Sequence, residues 1–447
     1  MSEMSALRKN KIQLSDYDYR RDIENRLLMA QFSTVDLEVL EEILYSSLTI
    51  PIKKLAKSLD ITEQATLASL EKLSKTGLLT LDKDTVVVDK EMRKYYEAQI
   101  VKFDEDFTPG MEFLQGLLKK VPIHVLPTWY SISRTSNNIF DSIVEKYLLS
   151  PQVFQRYLSE IHFADANLTA IVQEVFQAPD FTVSSEVLIE KYKLTREQFE
   201  EYMLLLEFSF LCCIGYKKVG ALWQEIVTPF HEWREYLAFL RDTQPVPIED
   251  PSKVERENED DFAFIHQLSA LLKRAKKEPF VNEDKKLDPF IQKLRLVRLA
   301  DLIDGRLYAL ESANDWLDMK DENKALYLYR HPLNRLLSEH FPAHLSTERN
   351  LREAEKSILS VLGSGWVYYD DFIKGVLAPL SEQSAVILKK VGKTWKYALP
   401  EYNDEESAFI KATVMEWLPE IGIISTGVCE GRDAFAVTPF GQSVFGR

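Results

Sequence analysis

The stretch Leu59-Asp60-Ile61-Thr62-Glu63-Gln64-Ala65-Thr66-Leu67-Ala68-Ser69-Leu70-Glu71-Lys72-Leu73-Ser74-Lys75-Thr76-Gly77-Leu78-Leu79 decides how this chain is read. Asp60-Ile61-Thr62-Glu63 has the composition of a tight turn, in which Thr62 caps the next helix and Glu63 favours its positive end. Thr66, Leu70 and Leu73 then recur at helical spacing, and Gly77 supplies the left-handed stop. Upstream, Val35, Leu37, Leu40, Ile43 and Leu44 predict a first helix capped by Thr34. Residues 48–52 form a short extended break, and 53–59 a second, short helix. Downstream, residues 78–81 and 85–88 are β-rich runs joined by Asp82-Lys83-Asp84, which predicts a hairpin.

Helix, helix, turn, helix, hairpin is the order of a winged helix, and residues 59–79 resemble its helix-turn-helix. The same order returns at 168–176, 185–191 and Leu194-Thr195, with Phe199, Met203 and Leu206 where Thr66, Leu70 and Leu73 stood. A second hairpin joins 210–216 to 221–227 through Lys217-Lys218-Val219-Gly220. Near the C-terminus a helix over 405–417 ends near Gly422, and strands at 423–426 and 434–437 flank a loop at 427–432. Val227-Thr228-Pro229-Phe230 is echoed by Val437-Thr438-Pro439-Phe440, since Thr caps a helix and Pro suits its first turn. A less regular unit at 262–329 carries helices at 264–272 and 290–299 and the turn Asp304-Gly305-Arg306.

The expected fold is therefore mostly α with small β-hairpins (α+β), built from tandem winged-helix domains. The boundaries are an N-terminal extension at 1–33, winged helix 1 at 34–102, a helical connector at 103–167 and winged helix 2 at 168–242. A linker at 243–261, a winged-helix-like unit at 262–345 and a C-terminal winged helix at 346–447 complete the chain. The linker has three prolines and then Glu255-Arg256-Glu257-Asn258-Glu259-Asp260-Asp261. A run so poor in apolar residues predicts a flexible hinge, a surface loop being the alternative.

Two stretches carry a resemblance. One is Leu302-Ile303-Asp304-Gly305-Arg306-Leu307 leading into Trp316-Leu317 and Lys324-Ala325-Leu326. The other is Gly365-Trp366-Val367-Tyr368-Tyr369-Asp370-Asp371-Phe372 with the terminal Val437-Thr438-Pro439-Phe440-Gly441. Over roughly 262–445 the chain resembles the helicase-associated domain of XPB-type helicases, without the helicase motor. The resemblance implies tandem winged helices that accompany a DNA-dependent motor, with a helicase or transcription component as partner, and no reaction.

Composition sets the outer limits. The 447 residues include 70 acidic and 55 basic side chains, a net charge of −15, which argues against a surface that coats DNA throughout. A local basic face is not excluded. Gly (15) and Pro (18) are too sparse for a collagen-like or low-complexity chain. Three cysteines, two of them adjacent at Cys212 and Cys213, make no disulfide framework and predict buried thiols in a reducing compartment. The first 21 residues lack the apolar core of a secretory signal, and the most apolar stretch, 203–216, is too short to span a bilayer. A cytoplasmic protein without a membrane partner is expected.

Three strings suggest catalysis and fail. Gly392-Lys393-Thr394 lacks the glycine a phosphate loop needs five positions earlier, where Ile387 stands, and Leu388-Lys389-Lys390 reads as helix. Tyr368-Tyr369-Asp370-Asp371 continues into Phe372, Ile373 and Val376 as a helix, whose positive end the aspartates favour. His340 and His344 have metal-pair spacing, but Pro342 disfavours a continuous helix and no cysteine completes a set. A non-enzyme without cofactor or metal is expected.

Nucleic-acid candidates remain. The third helix of a helix-turn-helix offers its exposed side to the major groove. Here that side would carry Glu63, Gln64, Leu67, Ala68 and Glu71 in the first unit, with Lys72 and Lys75 toward the end. In the second it would carry Arg196, Glu197, Glu200 and Glu201, a poor match for phosphates. The candidate contacts are instead Lys83, Lys217 and Lys218 on the wings, Lys276 and Lys277 beside Lys273-Arg274, Lys293, Arg295 and Arg298, and Lys389, Lys390, Lys393 and Lys396. Trp395 interleaves the last group in a manner suited to stacked bases. Two readings follow: a nucleic-acid-associated protein of transcription or repair making weak, sequence-nonspecific contacts with DNA, or a protein–protein adaptor whose winged helices no longer bind DNA. A positive stripe joining Lys276, Arg298 and Lys390 would favour the first, and contact is expected from the second half of the chain.

Overall fold

The computed structural model describes residues 8–9, 11–104, 107–135, 138–219, 222–330, 341–392 and 394–446. Helix α1 (Tyr19–Met29) precedes the first repeated segment: α2 (Thr34–Tyr45), β1 (Thr49–Pro51), α3 (Ile52–Ser58), α4 (Glu63–Ser74), β2 (Leu79–Asp82) and β3 (Thr85–Val88). Ser33, not Thr34, caps α2. Its hydroxyl accepts from the Asp36 amide while the Asp36 carboxylate takes the Ser33 amide, so both orphan donors are satisfied. Thr62 caps α4 as expected. Helices α5 (Lys90–Ile100) and α6 (Met111–Leu118) follow.

The second segment has the same element order: α7 (Ala166–Gln177), β4 (Val183–Ser184), α8 (Ser185–Tyr192), α9 (Arg196–Phe208), β5 (Cys212–Val219) and β6 (Leu222–Pro229), then α10 (His231–Asp242). After the short β7 (Glu255–Arg256), a third runs through α11 (Ala263–Lys277), β8 (Phe280–Val281), a 3₁₀ turn at Lys285–Leu287 in place of the second helix, α12 (Asp288–Leu296), β9 (Ala300–Ile303) and β10 (Arg306–Ala309). The fourth has α13 (Glu348–Lys356), β11 (Val367–Tyr368), α14 (Tyr369–Phe372), an inserted hairpin β12 (Leu388–Val391) and β13 (Thr394–Tyr397), α15 (Asp404–Ala412) extended by a π turn to Trp417, and β14 (Ile424–Cys429) and β15 (Arg432–Val437). All four segments build one sheet design. The strand after the first helix pairs with the last strand, which lies between it and the remaining one: β1-β3-β2, β4-β6-β5, β8-β10-β9 and β11-β15-β14. The chain is thus mixed helix and strand with small antiparallel sheets.

A second shared device ends the third helix of each segment. Gly77, Phe210, Arg298 and Gly422 all have positive φ and are each followed by a buried leucine or isoleucine. The amide after the left-handed residue reaches back into the helix in three of the four, from Leu211 to Leu206, Leu299 to Leu294 and Ile423 to Leu418. This is the Schellman arrangement, in which the buried residue pins the stop. Asp60 and Lys193 share another left-handed slot, in the turn before α4 and α9.

Other expectations fail. The 243–261 segment is ordered against a sheet: β7 pairs with β14, and the Glu257 amide bonds Thr426 O at 2.9 Å. Its carboxylates find partners, Asp261 on Arg256 and Glu257 on Thr426, which the composition argument could not foresee. Gly427 is required there, because a Cβ would lie 2.7 Å from Glu255 O. The 427–432 loop shrinks to the two-residue turn Glu430-Gly431, both at positive φ. Residues 388–390 are strand, not helix. Beyond α14 the chain makes only a 3₁₀ turn, Ile373–Gly375, and Val376 is extended. Thr438 caps its helix, but Pro229 still belongs to β6 and the Thr228 hydroxyl has no partner, so the two echoes do different work.

By internal contacts the chain forms two units, Met1–Leu237 with Ile387–Tyr397, and Ala238–Val386 with Ala398–Arg447. The inserted hairpin therefore folds with the first unit. Leu388 donates to Leu149 O and Tyr397 Oη to Leu148 O, both at 2.8 Å. Cys212, Cys213 and Cys429 are free and buried. Among the described residues no helix is long and apolar enough to cross a membrane.

The first unit is held by a buried charge network. Arg26 of α1 makes a two-point contact with Glu207 of α9, and Lys102 lies 3.6 Å from the same carboxylate. Burial alone would raise the Glu207 carboxyl; Arg26 and Lys102 hold it below the ordinary range. Asp22 takes Lys120 at 3.0 Å and Tyr95 at 2.6 Å. Glu200, 1% exposed, shares Arg196 with Glu225. Burial, then the Glu225 charge, pushes the Glu200 carboxyl up to about 7.

Two outcomes follow from this network. Arg26→Ala strands buried acid and should cost roughly 3–5 kcal/mol in urea unfolding; a loss near zero would contradict the pairing. Glu200 gains a proton on folding, so its share of stability is complete below its unfolded pKa and disappears as pH rises through about 7. Urea midpoints should accordingly fall between about pH 5 and 8, and Glu200→Gln should flatten that fall; parallel curves for the two proteins would refute it.

Candidate nucleic-acid interface

The hairpins expose their cations because their inner faces are anchored. In β12–β13, Leu388 faces Tyr397 and Lys390 faces Trp395, while Lys389 stands directly opposite Lys396 on the other face. Leu388 and Tyr397 are buried, and Trp395 is half-buried with its ring edge-on to Phe140 at 6.1 Å. The lysine pair is left outward, and among the described residues neither Lys389 nor Lys396 has an ion-pair partner. Like charges directly opposite each other weaken a ladder. The sheet gains nothing from this pair. Lys393 lies outside the described residues.

Lys83 occupies a two-residue turn at positive φ and is exposed. Lys217 and Lys218 are exposed near the end of β5, the latter with its ammonium 5.9 Å from the Trp223 ring. The turn beyond them, including Gly220 and Ala221, lies outside the described residues.

The second unit accounts for its cations differently. Lys276 and Lys277 are exposed in the last turn of α11, where cations complement the helix dipole without any ligand. Arg274 stacks on Phe280 at 3.8 Å. Arg295 meets Asp301 at 3.4 Å, and Arg298 is the left-handed residue that ends α12. Lys293 is the clearest departure: it is 2% exposed, 2.6 Å from Glu420 and over the Trp417 ring. Its place on the helix could be read from the sequence, but its partner lies 127 positions away. The three residues whose joining in one stripe would favour DNA fall in separate units, Lys276 and Arg298 in one and Lys390 in the other.

The third helices are also not equivalent. On α4 the side chains of Glu63, Gln64, Leu67, Ala68 and Glu71 are exposed, as expected, while Lys72 is tied to Asp36 at 2.7 Å. On α9 the expected outward residues Glu200 and Arg196 are instead turned into the charge network under α1. In the second unit Trp417, on the buried face of α15, donates to Glu355 at 2.8 Å, and Lys293 reaches Glu420 just beyond. Part of the outward set of α9 is thus spent inside the fold, whereas on α15 Glu405, Ala408 and Lys411 remain exposed. Lys53, Lys54 and Lys57, passed over in the sequence, are all exposed on α3. The signal was there: Ile52, Leu55 and Ala56 are the buried face, which leaves every lysine outward.

Asp371 pairs with Lys374 at 2.7 Å and Arg432 at 3.0 Å. Among the described residues no group of three His, Cys, Asp or Glu is placed to hold a metal. His344 sits 3.2 Å from Glu405, and His340 is outside the described residues. Compared with known protein families and with curated proteins, the chain matches none.

Structural and surface lysines should separate in a stability assay. Lys293→Ala should lose roughly 2–3 kcal/mol, near the lower end for a broken buried pair, while Lys389→Ala should change stability by less than about 0.5 kcal/mol. Equal effects would contradict the placement of Lys293.

Proposed function

We propose that this is a non-enzymatic, nucleic-acid-associated protein built of tandem winged helices, which touches phosphate backbones through its hairpins rather than through its third helices. The shared sheet order and shared left-handed helix stops support the winged-helix reading. The resemblance of the second half to helicase-associated domains supports transcription or repair as its setting, with a motor or transcription component as partner. The observation that carries the reading is the facing pair Lys389 and Lys396, a self-repelling arrangement that a bound polyanion would relieve. Lys83, Lys217, Lys218 and the α3 lysines are further exposed cations of the same unit. Lysine contacts to phosphate carry no base information, so binding is sequence-nonspecific and salt-sensitive.

A second reading, a protein–protein adaptor, is favoured by the inward-turned Arg196 and Glu200 of α9 and by the acidic exposed face of α4. Anisotropy titrations of duplex and single-stranded oligonucleotides across about 50–200 mM salt separate the two. Nucleic-acid association predicts binding at low salt that Lys389→Glu with Lys396→Glu weakens at least about tenfold, with a salt slope smaller by about two. No binding at the lowest salt would overturn it and leave the adaptor.

A further inference from the structure

Beside helices α5 and α6 the first unit contains a pocket of about 320 Å³ that the reading above does not use. Gln99, Val101, Phe107, Phe113, Gly116 and Leu117 line it. The volume is at the lower end of small-molecule sites, which combine apolar walls with few polar groups.

Two independent features mark it as more than a packing fault. Gln99 is 2% exposed, yet its carbonyl Oε1 has no hydrogen-bond partner. Buried amides are ordinarily satisfied, and one that is not invites an explanation. Gly116 is the other feature. It lies inside α6, where glycine is less favourable than alanine, and a Cβ there would meet nothing within 4 Å. Neither sterics nor a left-handed backbone asks for glycine here; its effect is to keep the pocket open.

The walls are also set in advance. Phe107 and Phe113 meet edge to face at 5.8 Å, and the Lys102 ammonium holds the Phe113 ring from 4.9 Å. Lys102 is itself neutralised by Glu207, and the exposed Glu112 at the mouth disfavours an anion. We infer that this pocket binds a neutral, flat aromatic molecule bearing one hydroxyl, an aryl alcohol. The rings take its body. Gln99 Oε1 is closed off where it stands, and turning the amide about its last torsion would bring it round to accept from the hydroxyl.

The test is a methyl-NMR titration of the full chain with 2-naphthol and, in parallel, naphthalene. Saturable shifts centred on Val101 and Leu117 are expected with 2-naphthol. Gly116→Leu, which fills the pocket while raising helix propensity and so retains the fold, should weaken binding at least about tenfold. Gln99→Leu should weaken 2-naphthol about tenfold and leave naphthalene unchanged or tighter. Absence of saturable shifts, unaltered binding in Gly116→Leu, or equal loss of both ligands in Gln99→Leu would each overturn the assignment.

Discussion

The first unit depends on the contact between Arg26 and Glu207. Both groups are almost wholly buried, at 4% and 0% exposure, and neither could remain charged there without the other. A buried guanidinium needs acid on every side it can reach, and α1 finds Asp22 on its own helix and Glu200 and Glu207 on α9. Once α9 carries those acids, Lys102 beyond α5 and Arg196 at the start of α9 become necessary to balance them. One buried cation thus draws α1, α5 and α9 into a single arrangement. Such pairs define geometry more than they add stability, because desolvation offsets most of the attraction.

This changes the meaning of the acid on α9. From sequence, Glu200 stands where a groove-reading residue would be, and its charge reads as hostility to DNA. In the fold it answers Arg26 and Arg196, and burial first, then the Glu225 carboxylate beside it, pushes its carboxyl up to about 7. Its acidity is a requirement of internal packing. The second unit repeats the logic with Lys293, a buried lysine answered by Glu420.

Local features were legible because their causes are local. Thr62, Gly77 and the alternation of Val86 and Val88 act within a few residues, and they place α4 and its hairpin correctly. Where two neighbouring residues can do the same work, the choice is subtler: Ser33 wins over Thr34 because only it has an acid, Asp36, three residues on. Phe210 and Arg298 show a different limit. A buried residue that follows can hold a left-handed stop without glycine, so the usual marker is absent. Long-range placements were hidden altogether. Nothing near residue 388 reveals that its amide meets Leu149, and nothing near Glu255 reveals a strand partner at Val428. Of the candidate site, Lys83, Lys217 and Lys218 could be read from their hairpin turns, whereas the strand pairing of Lys389 with Lys396, in a run that reads as helix, and the burial of Lys293 could not.

The net charge of −15 and a cationic hairpin are compatible once distance is considered. At physiological salt, exposed charges separated by more than about 8 Å are largely screened from one another. Remote carboxylates therefore affect long-range approach of a polyanion more than its final contact. Several acids of the same unit are also already paired: Glu207 with Arg26 and Lys102, Asp22 with Lys120, Asp36 with Lys72. On the proposed reading, a phosphate at the outer face of β12–β13 would meet the local pair Lys389 and Lys396, whose mutual repulsion its charge would remove. The overall balance would then limit how fast such an encounter forms, and the local pair would decide whether it holds.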